Sequence, residues 1–109
     1  MNLNKFDIVL VDFPFSDLTM TKRRPAIIIK ELEGENLILA QITTKRRKIA
    51  KYEVSLDKTD CDGNIKFNSF IYIDMIFTLH NSLIHAKIGG LINEKIKKEI
   101  SEKLRNMLD

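Results

Sequence analysis

This chain has no tryptophan and only one cysteine, and it contains no apolar run long enough to cross a bilayer. A single thiol rules out an internal disulfide. Cys61 also sits in the polar stretch Asp57 to Gly63, with no His or second Cys at ligand spacing, so it reads as a bland free thiol. Asp60-Cys61-Asp62-Gly63 is like the start of a calcium loop, but the twelfth position from Asp60 is Ile71 where that loop needs an acid, so metal binding there is rejected. The opening residues, Met1-Asn2-Leu3-Asn4-Lys5, lack the apolar segment of a secretion signal. A cytoplasmic location with no membrane partner is the expectation.

What is present fits one small domain spanning residues 1–109, with 44% hydrophobic residues to build a modest core. Net charge is only +3, but it is unevenly spread. Between Met20 and Lys51 nine basic residues (Lys22, Arg23, Arg24, Lys30, Lys45, Arg46, Arg47, Lys48, Lys51) face three acids, Glu31, Glu33 and Glu35. The acids flank Gly34, where a hairpin turn would point them away from the basic clusters. Such a surface suits a polyanion, and it equally suits a solvated face kept for solubility.

Phe6 to Phe13 is β-branched and aromatic and ends at Pro14, which closes a first strand. Ser16 to Arg23 is polar, without apolar period, and reads as a surface loop. Pro25 disfavours helix at Arg24 and restarts extended structure, giving a strand over Ala26 to Leu32. Glu33 to Asn36 turns, and Leu37 to Thr44 returns. Antiparallel pairing about Gly34 then brings Thr43 and Thr44 to the sheet end that holds Arg24. Tyr52, Val54 and Leu56 alternate with polar residues as a half-exposed strand, and Asp57 to Asn64 is a turn-rich connection. Phe67 to Phe77 predicts a central strand in which Asp74 is either a sheet-edge charge or a buried acid supporting the fold, the latter being preferred. Leu83 to Ile88 predicts one more strand, broken by Gly89-Gly90. Asn93 caps a final helix with Ile96, Ile100, Leu104 and Met107 or Leu108 on its apolar face, and Glu94–Lys98 and Glu99–Lys103 as ion pairs. The pattern predicts a small, mainly β fold, a strongly bent antiparallel sheet close to a barrel, with that helix as cover.

Three motifs in order, Val9-Leu10-Val11-Asp12-Phe13-Pro14-Phe15-Ser16, then Arg23-Arg24-Pro25-Ala26-Ile27-Ile28-Ile29, then Gln41-Ile42-Thr43-Thr44-Lys45, resemble the PemK/MazF family of bacterial toxins. Lys87-Ile88-Gly89-Gly90-Leu91 before the helix extends the resemblance over nearly the whole chain. It implies an SH3-like barrel, shared with the gyrase-poisoning CcdB toxin. It also implies a metal-independent, sequence-selective endoribonuclease that cleaves single-stranded messenger RNA, uses no cofactor, forms a homodimer and is neutralised by a cognate antitoxin.

RNA can be cut without a metal when its own 2′-hydroxyl attacks the adjacent phosphorus. The protein must then stabilise charge on the phosphate oxygens and move two protons. A guanidinium suits the first task because it gives two parallel hydrogen bonds to phosphate. By resemblance Arg24 is the catalytic arginine and Thr43 the strand-end hydroxyl, with Thr44 one position away. Each has a plain structural reading too, Arg24 as a surface arginine and Thr43 as a backbone cap. Lys22, Arg23, Lys45, Arg46 and Arg47 would hold the RNA backbone together with Thr44, and Phe15 would meet a base. Several family members carry a loop acid proposed as proton carrier, whereas here the loop offers only Asp17. Phe6 stands where many relatives have Gly. His80 and His85 have no nearby carboxylate in sequence to orient them and read as a turn and a strand histidine. The rival reading is a non-catalytic member of the same fold that binds RNA or a protein such as gyrase.

Overall fold

The computed structural model describes residues 2–14 and 21–109, with the side chains of residues 13, 14, 21 and 22 outside that description. Among the described residues seven strands, β1 (Asp7–Pro14), β2 (Thr21–Glu31), β3 (Asn36–Thr43), β4 (Glu53–Leu56), β5 (Cys61–Gly63), β6 (Ser69–His80) and β7 (Ile84–Leu91), precede one α-helix, α1 (Glu94–Leu108). They form a curled half-barrel sheet in the order β4-β6-β3-β2-β1-β7-β5, antiparallel throughout. This is the mainly β, strongly bent sheet with a terminal helix that the sequence predicts.

Strand alternation splits the apolar residues between two faces. Ile8, Ile27, Ile29, Ala40, Ile42, Val54, Leu56, Ile71 and Ile73 pack with Ile100 of α1 on one face. Val9, Val11, Ala26, Ile28, Leu37, Leu39 and Ile84 form a smaller cluster on the other. The helix turns Ile96, Ile100, Leu104 and Met107 inward, leaves Leu108 71% exposed, and is capped by Asn93, whose side chain accepts from the Lys95 amide. Glu99 pairs with Lys103 at 3.0 Å as expected, but Glu94 pairs with Lys97 rather than Lys98, at i,i+3 instead of i,i+4.

Several boundaries differ from the sequence reading. β2 begins at Thr21, because Thr21 to Arg24 pair with Val11 to Pro14 of β1, so only part of the polar stretch can lie outside strands. The connection after Asp57 contains β5, which pairs with β7 through Cys61–Leu91, Asp62–Gly90 and Gly63–Gly89. Gly89-Gly90 therefore does not break β7. The glycines let two backbones approach, since a Cβ on Gly89 would collide with the Asp62 carbonyl and one on Gly90 would meet the Asp62 carboxylate at 3.2 Å. Phe6 adopts φ 71°, the left-handed region where Gly is at ease, so the departure from the family pattern falls on a conformation that disfavours a side chain. Its ring offsets that cost by packing on the core between the ammonium groups of Lys5 and Lys97, 5.1 and 5.5 Å from the ring centre.

Candidate functional site

The β2–β3 hairpin turns through a 3₁₀ segment at Glu33–Glu35, with Gly34 at φ 76°, and its acids lie at the far end of the sheet from the basic run. Its register pairs Ala26 with Gln41, which sets Arg24 and Thr43 one pleat further along the same face. β6 continues these rows, Tyr72 beside Gln41 and Phe70 beside Thr43, and β4 adds Glu53 beside Tyr72. The face is the one opposite α1. Arg24, Gln41, Thr43, Thr44, Lys45, Arg47, Tyr72 and Met75 line a cleft of about 520 Å³ there.

Between Ala40–Ile76 and Gln41–Tyr72 the ladder slips, and β6 carries three residues, Ile73 to Met75, where β3 has none. A bulge of this kind redirects side chains. It sends Asp74 out to Arg47, whose two terminal nitrogens donate to the carboxylate, one of them at 3.0 Å to Oδ2. The preferred reading of Asp74 as a buried acid is thus corrected: it is a surface charge within the bulge, part-exposed and ion-paired. The Arg47 guanidinium also stacks 3.8 Å from the Tyr72 ring centre, and the Tyr72 hydroxyl donates to the Lys45 carbonyl. The Asp74 carboxylate holds Arg47 even more firmly protonated than a free arginine, and Arg47 in turn holds Asp74 below the usual carboxylate range.

Glu53 escaped the sequence reading, which placed it on the exposed side of β4. Its side chain is 5% exposed and accepts from Arg46 Nε (3.0 Å), Arg47 N (3.1 Å) and Lys48 N (3.2 Å). Lys48 sits at φ 61°, a strained conformation for a lysine, and the Glu53 carboxylate is what closes the backbone around it. The one hint in the sequence is an acid in a strand that follows directly on a run of cations. Burial works against the charge on Glu53, but the Arg46 side chain and the Lys48 and Arg47 amides outweigh it and hold the carboxyl below its ordinary range.

Of the remaining predicted residues, Thr43 accepts from the Lys45 amide at 3.1 Å, the backbone cap expected of a strand-end threonine, which leaves its hydroxyl hydrogen to donate. Thr44 lines both this cleft and an apolar cavity of about 240 Å³ on the helix face, walled by Ile8, Leu10, Ile42 and Ile88. Arg46 lies over Phe70, 5.6 Å from the ring centre, beside the cleft rather than in it. Arg23 is not brought to the cleft: it pairs with Asp12 at 3.2 Å, one residue out of phase with Arg24 on β2. The side chain of Lys22 and all of Phe15 and Asp17 lie outside the described residues. His80 and His85 stand apart from the site. His80 is at the Asn36 end of β3, opposite Thr43, where it faces Ser82 and Glu35. Cys61 is a protonated thiol, pushed up to about 11 by burial and by Asp60 and Asp62. Among the described residues no helix is long and apolar enough to cross a membrane.

The sequence model for PemK-like, MazF-like toxins of type II toxin–antitoxin systems matches residues 4–108. The chain belongs to this family. A search of curated proteins returned no match. Solved structures show the same fold at low identity. The toxin MazF-mt6 of Mycobacterium tuberculosis is 22% identical, with 94% of this chain and 96% of that one covered and a TM-score of 0.72. The MazE–MazF complex of Deinococcus radiodurans gives 15%, 97%, 95% and 0.78. An endoribonuclease in complex with its cognate antitoxin, from a mycobacterial species, gives 16%, 98%, 95% and 0.77. The curled sheet and terminal helix of the present toxin are therefore the MazF-like architecture.

Proposed function

We propose that this toxin is a metal-independent, sequence-selective endoribonuclease of single-stranded messenger RNA. The observation that carries the reading is the meeting of Arg24 and Thr43 on one face of the β2–β3 hairpin, in a cleft that also holds Lys45 and Arg47. Arg24 and Lys45 supply the positive charge that a phosphoryl-transfer site otherwise takes from a metal, while the charge of Arg47 is offset by Asp74. In the reaction the RNA 2′-oxygen bonds to phosphorus and the 5′-oxygen leaves. The products are a 2′,3′-cyclic phosphate and a 5′-hydroxyl, and the proton of the 2′-hydroxyl ends on the 5′-oxygen. Arg24 donates to the phosphate oxygens as charge grows, and Thr43 adds its hydroxyl hydrogen. Asp17 is the acid that the sequence offers as proton carrier.

Cleavage of a long unstructured RNA is expected to proceed in excess EDTA and to leave those ends. Activity lost in EDTA and restored by magnesium would overturn the mechanism. Complete absence of cleavage across a diverse RNA pool would favour the non-catalytic rival.

The relatives solved with antitoxins point to a similar partner here. An acidic segment that folds on contact would cover Arg24 and the Lys45 to Lys48 run, and a twofold homodimer would double the reach of the cleft. The expected result is a dimer at micromolar concentration by light scattering, with antitoxin and RNA competing in a salt-sensitive way. A monomer, or simultaneous binding of both, would count against this arrangement. An RNA substrate places the toxin in the cytoplasm.

A further inference from the structure

Gln41 lies in the middle of the cleft, and the cleavage chemistry leaves it without a task. On β3 it precedes Thr43 by one pleat on the same face, between Ala26 of β2 and Tyr72 of β6. The alanine is too short to cover it, and the Tyr72 ring is taken by Arg47. Its amide is half-buried against the cleft, and no hydrogen bond from it to any of the described residues is found. A primary amide in that position has two donors and an acceptor unspent.

The cations lining the cleft only donate, which suits a phosphate or the acceptor edge of guanine and not an exocyclic amine beside a ring nitrogen. The Arg47 fork is also held by Asp74, the Tyr72 hydroxyl is committed to the Lys45 carbonyl, the Thr43 oxygen accepts the Lys45 amide, and the Thr44 hydroxyl offers a single point of contact. Gln41 carries a donor and an acceptor side by side in one plane, the arrangement that matches an exocyclic amine next to a ring nitrogen. Beside it the β6 bulge presents Met75, 45% exposed, a polarizable surface on which a base can lie.

We infer that Gln41 reads the edge of the unpaired base next to the scissile phosphate, that this base is adenine, and that Met75 supports its face. The inference rests on RNA being the ligand of the cleft. Cytosine shares the amine-and-ring-nitrogen edge and is the alternative the experiment separates.

The test uses two random-sequence pools with the full-length toxin and with Gln41→Leu. One pool is RNA, with cleavage sites mapped by sequencing. The other is 2′-fluoro RNA, which lacks the attacking hydroxyl, with bound sequences recovered. The wild type is expected to favour adenine at one fixed position beside the cut, and at one position of the bound sequences. Gln41→Leu should lower that preference about tenfold to a hundredfold, the range of one bidentate base contact, while the preferences at other positions persist. Replacing the preferred adenine by purine, which lacks the amine, should then cost the wild type a similar factor and the variant nothing. A preference for cytosine, or an unchanged adenine preference in Gln41→Leu, overturns the inference while leaving the cleavage reading intact. Selective binding of the 2′-fluoro pool that Gln41→Leu abolishes, with no cleavage of RNA, would sink the nuclease reading and uphold the role of Gln41. Binding of neither pool removes both.

Discussion

Arg24→Ala is expected to slow RNA cleavage at least about a hundredfold, the scale on which loss of one preorganised donor to a developing oxyanion is felt. The fold should survive. Arg24 lies at the cleft end of β2, outside both apolar clusters, and the strand beneath it is fixed by pairing of Val11 with Arg24 and of Val9 with Ala26. Thermal unfolding of the variant should therefore stay close to that of the wild type. Lys at this position should restore little, because an ammonium keeps the charge but cannot present two parallel donors in a plane. Single-turnover assays are the measurement that decides, since they isolate the chemical step from product release. Normal cleavage by Arg24→Ala would mean that the site lies elsewhere.

Glu53→Ala should have the second largest effect, although Glu53 makes no contact with substrate in this reading. Its carboxylate gathers the Arg46 side chain and the Arg47 and Lys48 amides, and so fixes the segment that carries Lys45 and Arg47 into the cleft. Without it the strained backbone at Lys48 loses its support, and a shift of about an ångström in the cationic wall is enough to cost up to about a hundredfold in rate. The expected result is a fall of about tenfold or more in kcat/KM, with new protease cleavage within residues 45–51. Gln should rescue partly, having one carbonyl oxygen with which to serve three donors.

The pH dependence of this segment has a definite sign. Glu53 and Asp74 both have folded-state values below their unfolded ones, so each contributes stability that is fully present above the unfolded value, about 4.3 for Glu and 3.9 for Asp. That stability is lost as pH falls through the lower folded values. The Arg47 and Lys48 amide resonances should stay constant from neutral pH down to about 4.5 and move only in stronger acid. A midpoint near neutrality would show that Glu53 is not the group that holds them.

Much of the fold, and the pair proposed for the centre of the site, could be read from the sequence because the information there is local. Apolar alternation marked the strands and Gly34 with its flanking acids marked the turn, so the returning strand had to bring Thr43 or Thr44 near Arg24; the register shift between Ile28 and Lys30 is what sets Thr43 there. The helix face was equally legible, since Ile96, Ile100 and Leu104 repeat at its own period. What tertiary structure alone decided depends on which distant strand pairs with which. β6 inserts between β3 and β4, and its slipped ladder beside Gln41 brings Asp74 to Arg47, twenty-seven residues away in sequence. The same pairing sinks Glu53 beneath the basic run, so Arg46 and Arg47, which composition counts as free positive charge, meet an acid each. β7 runs on through Gly89-Gly90 because β5 approaches it closely enough to need the missing side chains. Periodicity records which face a residue takes within its own strand. The neighbour across the sheet is chosen by burial and backbone hydrogen bonding over the whole chain, and no short stretch of sequence carries that choice.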